Sequence, residues 1–192
     1  MMEQGNLPTQ RVNISTQKML GGIGYILILL SWIPRIGILL GIVGFVLWLI
    51  SMYQLSNMLR RPSIFQKVLI AFILNIVGTV IAFAFGLMTG VSLFASVRGE
   101  IGAILGLGLG VAFAIIVAYA ISLVAFYFYK EAYEILAQAT AHNLFKIGGL
   151  LLFIGAVTTI LFGLGVLLII VGEIVLAVAF FTAPNEVEVK GT

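Results

Sequence analysis

The chain has 192 residues, of which 62% are hydrophobic and 9% are charged. A soluble domain is about 45–50% apolar and about 25% charged, so the excess apolar surface here requires lipid to cover it. Cysteine and Asp are absent, which excludes disulfides, thiolate metal sites, cysteine nucleophiles and Ser–His–Asp catalysis.

The chain begins with a polar segment, MMEQGNLPTQRVNISTQK, which contains Pro8. A secretory signal would show a basic start, an apolar core and a small-residue cleavage site. These features are missing from the segment. We therefore predict that residues 1–18 form a cytoplasmic tail and that the first helix is an uncleaved membrane anchor.

Six apolar segments follow and predict an all-α, polytopic bundle of six transmembrane helices over residues 19–182. The first has only fifteen residues, about 22 Å of helix at about 1.5 Å per residue. A full crossing needs about 20 residues, so the sequence leaves open whether the first and fifth helices span the bilayer. The segments cover residues 19–33, 36–53, 64–88, 101–129, 147–162 and 165–182.

The basic residues set the expected orientation. With six crossings, eight of the ten Lys and Arg residues fall on one side, and only Arg35 and Arg98 fall on the other. Cytoplasmic loops carry the Lys and Arg excess, so both termini, including a tail over residues 183–192, are expected in the cytoplasm and the protein in the cell membrane. The net charge of +3 thus indicates membrane orientation, and we expect no nucleic acid partner. Arg60, Arg61 and Lys67 are expected to anchor a loop at anionic headgroups.

The fourth helix is predicted to extend beyond the membrane. After the aromatic residues 126–129 the chain reads KEAYEILAQATA, which consists mostly of strong helix formers. We predict a cytoplasmic helical extension over about residues 130–140, with Tyr133, Ile135 and Leu136 packed on neighbouring loops or on a partner.

The stretch LLIIVGEIVLAVAFF contains a single charged residue, Glu173. An acid at a helix centre in the bilayer costs about 2.5–3.5 kcal/mol and is by default a functional candidate facing the protein interior. We predict a polar site in which Glu173 lies near Asn75, with Thr158 and Thr159 on the adjoining helix. One interpretation is a proton or cation relay; the other is a neutral acid whose hydrogen bond fixes the helix register.

Small residues recur every fourth position of the fourth helix. Such residues let membrane helices approach closely. Tight packing is the expected role, and a flexible or pore-lining helix is the alternative. The series comprises Gly102, Gly106, Gly110, Ala114, Ala118 and Ser122.

The first and last pairs of helices resemble each other. Each begins with Lys followed by Gly-Gly, at Gly21-Gly22 and at Gly148-Gly149. Each second helix carries two glycines seven residues apart, Gly37 with Gly44 and Gly165 with Gly172. Two interpretations remain, a duplicated helical hairpin in parallel orientation and a similarity produced by lipid-type composition.

The opening LGGIG-x-ILILL, the Ile64-Phe65 start of the third helix and the closing LFKIGGLLLFIGAV resemble the domain-of-unknown-function family 996. These are small multi-pass membrane proteins of archaea and bacteria, and the resemblance extends over nearly the whole chain. It implies an integral membrane protein and assigns no activity or site residues.

Two classes of function are compatible with these features. The first is a non-catalytic interaction or structural protein, or an auxiliary subunit, with the lipid bilayer and a second copy or another membrane protein as partners. The second is a small ion, proton or solute transporter or channel that uses Glu173. The sequence predicts no metal site, no cofactor and no enzymatic activity. His142 is the only histidine, and one imidazole without Cys or Asp cannot supply the ligands of a zinc site.

Overall fold

The computed structural model describes residues 9–96, 101–160 and 163–190 of the chain. The described residues form six α-helices, a short 3₁₀ turn and two strands, and the predicted helical bundle is confirmed. In chain order they are β1 (Thr9–Asn13), α1 (Ser15–Leu29), the 3₁₀ turn (Leu30–Trp32), α2 (Gly37–Met58), α3 (Pro62–Ser96), α4 (Ile101–Thr140), α5 (Leu144–Thr158), α6 (Leu164–Thr182) and β2 (Glu186–Lys190).

Helix length separates these elements into two groups. Within the described residues, α2, α3, α4 and α6 are long and apolar enough to cross a membrane. Helices α1 and α5 have 15 residues each, about 22 Å of helix at about 1.5 Å per residue. Helix α4 has 40 residues and ends at Thr140, so the predicted helical continuation is present.

The two polar ends of the chain contain a feature that the sequence analysis did not predict. Strands β1 and β2 pair antiparallel, with Val12 opposite Val187 and Arg11 opposite Glu188. The Arg11 guanidinium lies 3.6 Å from the Glu188 carboxylate and 4.0 Å from that of Glu186. The ion pairs lie among exposed side chains while Val187 and Val189 are buried, which is the alternation expected of a strand with one covered face.

Residues Met1–Val68 and Tyr129–Thr192 form one compact unit, and Leu69–Phe128 form a second. In the first unit, hydrogen-bond contacts join the strand pair to the helix ends. Lys18, in the first turns of α1, donates to the Ala183 carbonyl oxygen at 2.5 Å and to that of Phe181 at 3.5 Å. Arg60, after α2, donates to the Gln10 side chain at 3.4 Å. These contacts define one end of the unit, which we call the basic end.

Glycine allows the backbones of the first unit to approach closely. A Cβ added to Gly44 would lie 2.6 Å from the Gly24 carbonyl oxygen, so α1 and α2 are in backbone contact there. In the other hairpin a Cβ at Gly148 would lie 3.3 Å from the Gly172 carbonyl oxygen. Both hairpins thus pack glycine on glycine. In α1, however, the residue in contact is Gly24. The comparison of the two hairpin sequences instead matched Gly21, three positions earlier, with Gly148.

The second unit packs less closely where it is described. A Cβ at Gly78 would lie 3.4 Å from Ile121 Cγ2, an ordinary contact. At Gly86 and Gly110 no atom of the described part of the chain lies within 4 Å of an added Cβ. Close glycine packing is therefore found in the first and last hairpins and not at Gly110.

Candidate functional site

Glu173 is the central residue of α6, with nine residues on either side of it in a helix of 19. The flanking residues are apolar or Gly, and the side chain is partly exposed. Within the described residues it forms no hydrogen bond or ion pair. The helix thus places a carboxylate about 13 Å from each of its own ends without a partner from the described chain.

The two threonines predicted beside Glu173 are hydrogen-bonded elsewhere. Thr158 donates to the Ile154 carbonyl oxygen at 2.8 Å, and Thr159 donates to that of Gly155 at 2.8 Å. A Cβ at Gly165 would meet the Thr159 backbone, and Gly165 precedes Glu173 by eight residues, about 12 Å along the helix. The structure therefore does not bring these hydroxyl groups to the carboxylate.

Asn75 lies in the second unit, where its Nδ2 donates to the Ala71 carbonyl oxygen at 3.1 Å. Thr79 repeats the pattern one turn later and donates to the Asn75 carbonyl oxygen at 2.8 Å. Asn75 also lines a cavity of about 170 Å³. Its hydrogen bond with Glu173 stays a prediction.

Sequence analysis missed a buried polar cluster in the first unit, formed by Tyr25, Trp48 and Tyr133. Trp48 Nε1 donates to the Tyr133 hydroxyl at 2.8 Å, and the hydroxyl groups of Tyr25 and Tyr133 are hydrogen-bonded to each other. All three side chains are at most 5% exposed. We call this group the tyrosine cluster; it joins α1, α2 and α4.

Aromatic packing extends the tyrosine cluster. The Tyr25 and Trp48 rings meet edge to face with centroids 6.1 Å apart, and Phe180 of α6 lies 5.9 Å from Tyr25. Phe180 follows Glu173 by seven residues in α6, so the cluster packs against the helix that carries the carboxylate.

Tyr133 and Leu136, two of the three side chains predicted to pack on neighbouring loops or on a partner, are buried by helices of the first unit itself. Both are 0% exposed, whereas the third, Ile135, is half-buried. A Cβ at Gly149 would lie 2.9 Å from Tyr133 Cβ, so the second glycine of the α5 pair makes room for this ring. A signal was present in the sequence, since Tyr133 follows the apolar segment of α4 and Gly149 lies in the second turn of α5, but only the fold brings them into contact.

The basic end carries paired charges. Lys67 and Glu131 form an ion pair, and Glu134 lies 3.3 Å from both Lys130 and Lys146. Glu134 lies beyond the apolar segment of α4, where hydrogen bonds from Lys146 and Lys130 hold its pKa below the usual range. It is thus ionised at neutral pH.

The predicted lipid-anchoring set is divided by these contacts. Lys67 is neutralised in part by Glu131, whereas Arg60 and Arg61 are exposed in the turn before α3. Anchoring at anionic headgroups stays a prediction; the exposed Arg60 and Arg61 are better placed for it than the ion-paired Lys67.

The series of small residues in α4 has several different surroundings. Ala114 is buried, whereas Ala118 and Ser122 line the cavity beside Asn75. Gly110 has open space among the described atoms. The side-chain surroundings of Gly102 and Gly106 are outside what the structure describes. The predicted packing at those two positions therefore stays a prediction.

The comparisons with known proteins identify the family of the chain and assign it no activity. The family described as "Protein of unknown function (DUF996)" matches residues 40–174. An uncharacterised protein of Methanocaldococcus jannaschii is 32% identical over 179 residues, which cover 93% of this chain and 97% of that protein. No solved structure matches the chain. The resemblance inferred from the sequence is confirmed, and the chain belongs to the DUF996 family.

Proposed function

We propose that this membrane protein is a non-catalytic interaction protein, a structural component or an auxiliary subunit, and that Glu173 belongs to the surface that binds its partner. The main support is the partly exposed carboxylate at the centre of α6, which has no hydrogen-bond or ion-pair partner among the described residues. A second copy of the chain or another membrane protein supplies the missing donor.

Glu173 needs a polar partner because lipid, and not water, surrounds α6. An acid at the bilayer centre costs about 2.5–3.5 kcal/mol on insertion scales, and such residues pair with other polar groups. The nearest basic side chains of the described first unit lie at the basic end or in the turn before α2. A donor on a neighbouring transmembrane helix would therefore stabilise the assembly more than any contact within α6.

The basic end supports the same function. Several contacts connect the helix ends there. They are the paired strands, the Lys67–Glu131 ion pair and the ion pairs of Glu134 with Lys130 and Lys146. In our proposal this end is cytoplasmic and both termini lie in the cytoplasm of a cell-membrane protein, because Lys and Arg are concentrated there.

Purification in mild detergent with mass determination tests the proposal. The wild type should carry a stoichiometric partner or a second copy. Glu173→Leu should lose it, while the isolated variant chain in harsher detergent melts at the same temperature as wild type or higher, because an unpaired carboxylate has been removed. Ile174→Leu, the exposed neighbour on α6, is the matched control and should keep the partner.

Two outcomes contradict the proposal. A wild-type chain that is monomeric and free of partners would exclude the interaction function. A lower melting temperature of the isolated Glu173→Leu chain would instead indicate that the carboxylate is satisfied within its own bundle.

Transport is the second candidate, and one observation favours it. Tyr25 of the tyrosine cluster packs against Phe180 of α6, the helix that carries Glu173, so a carboxylate and two phenols lie on adjoining helices of the first unit. Proton or cation flux into proteoliposomes, compared between wild type and Glu173→Gln, tests this function. Flux that depends on the carboxylate would support transport, and equal rates in both would exclude it.

A further inference from the structure

A cavity of about 170 Å³, open on one side where Thr79 and Ala82 are exposed, lies within the second unit between α3 and α4. Its lining combines an amide and two hydroxyl groups with small and apolar side chains: Leu74, Asn75, Gly78, Thr79, Ala82, Ala118 and Ser122. We propose that this cavity is a water-accessible binding site for a small, uncharged molecule with several hydrogen-bonding groups, of about the size of glycerol.

The depth of the cavity makes its polar lining unusual. Asn75 follows Lys67 by eight residues, and Ser122 precedes Lys130 by eight, about 12 Å of helix in each case. The hydrocarbon core is about 30 Å thick. With Lys67 and Lys130 at its edge, Asn75 and Ser122 lie near its centre. Polar side chains at this depth are expensive unless they are satisfied.

The lining residues have hydrogen-bonding capacity to spare. Asn75 uses one N–H on the Ala71 carbonyl, which leaves its second N–H and its Oδ1 for a ligand. Thr79 donates to the Asn75 carbonyl but can still accept, and Ser122 makes no hydrogen bond with the described residues. The site thus offers both donors and acceptors.

Charge and size define the ligand class. No lining residue is ionisable, so an ion would have no opposite charge to replace its hydration. At about 30 Å³ for each water molecule in the liquid, a cavity of this volume holds about six waters or one small polyol. A long apolar chain would leave the amide and hydroxyl groups unsatisfied.

Thiol labelling in membranes tests the site, because the chain contains no cysteine. Ser122→Cys is nearly isosteric and places a thiol in the cavity. Val124→Cys, at almost the same depth on α4 and 47% exposed outside the cavity lining, is the matched control. A charged, water-soluble methanethiosulfonate reagent needs a hydrated thiolate, so we expect Ser122→Cys to react at least tenfold faster than Val124→Cys.

Protection then identifies the ligand class. Glycerol should slow the labelling of Ser122→Cys at least twofold after correction for viscosity by an exposed reference, Gln138→Cys, and sodium chloride at equal osmolality should not. Equal, slow labelling at positions 122 and 124 would show a dry cavity and overturn the proposal. Protection by sodium alone would also overturn it, in favour of a cation site. Thr79→Cys, also in the lining, repeats the measurement if the first variant does not fold.

Discussion

At the scale of single residues, the tyrosine cluster is the clearest source of specificity in the first unit. One hydroxyl group, that of Tyr133, accepts from Trp48 and shares a hydrogen bond with Tyr25. Buried polar groups gain little when they are satisfied, but cost about 1–3 kcal/mol when a partner is removed. Tyr133 therefore fixes how α1, α2 and α4 meet.

We expect Tyr133→Phe to lower the melting temperature by several degrees, because it leaves the Trp48 N–H and the Tyr25 hydroxyl without their shared partner at a cost of about 1–3 kcal/mol. Tyr53→Phe is the control, since Tyr53 is 52% exposed and its ring meets Phe65 edge to face. Thermal unfolding in one detergent compares them. Equal losses in both variants would argue against the network.

Backbone conformation gives a second residue-scale prediction. Ala141, the residue after α4, has φ of 51°, and the His142 N–H donates to the Ala137 carbonyl oxygen at 3.0 Å. This is the helix-ending arrangement in which Gly is preferred, because a Cβ costs about 1–2 kcal/mol in the left-handed region.

Ala141→Gly should therefore raise the melting temperature by a few degrees, in line with a gain of about 1 kcal/mol. Ala139→Gly, two residues earlier and still helical, should leave it unchanged or lower it, because Gly weakens a helix interior. A decrease caused by Ala141→Gly would show that the positive φ is not a source of strain.

At the scale of elements, glycine spacing decides which helices touch. Without a hydrophobic force between helices in lipid, close backbone approach is the main source of packing energy. The hairpin α1–α2 uses Gly24 and Gly44, whereas a Cβ added at Gly110, in the more regular series of α4, would meet no described atom within 4 Å. At Gly110, therefore, regular spacing is not accompanied by a close contact among the described residues.

Gly44→Ala should destabilise the protein by more than about 2 kcal/mol, since overpacking costs about 1–3 kcal/mol and the added Cβ meets backbone atoms, 2.6 Å from Gly24 O and 2.8 Å from Ile28 N. Gly110→Ala is the matched control and should be neutral or stabilising, because Ala is the better helix former. Unfolding of the two variants under identical conditions measures the difference. A neutral Gly44→Ala would refute the backbone contact.

At the scale of the whole molecule, the charge distribution predicts the orientation. Arg61 belongs to the basic end through the turn that precedes α3, and Asn143 precedes α5 near the Lys146–Glu134 pair. Arg35 lies in the turn before α2. Lys and Arg excess marks the cytoplasmic side.

Cysteine substitutions at Arg61, Asn143 and Arg35, treated with an impermeant thiol reagent in intact cells, test the orientation. Arg35→Cys should be labelled from outside, whereas Arg61→Cys and Asn143→Cys should react only after permeabilisation. Labelling of positions 61 and 143 from opposite sides would contradict the six crossings and the central depth inferred for Glu173.

The sequence by itself determined the membrane character of the chain, its helical structure and its family. Apolar composition and segment length suffice for these properties, because the cost of exposing backbone groups to lipid leaves helices as the main solution for such segments. It also identified Glu173 as the single charged residue of α6, whose central position in that helix is now described.

Only the tertiary structure decided which side chains meet. Tyr25, Trp48 and Tyr133 are separated by up to 108 residues, and β1 pairs with β2 across almost the entire chain. No local pattern encodes such contacts. They depend on which helix faces meet and in what register, and these are set jointly by glycine contacts, ion pairs and burial throughout the first unit.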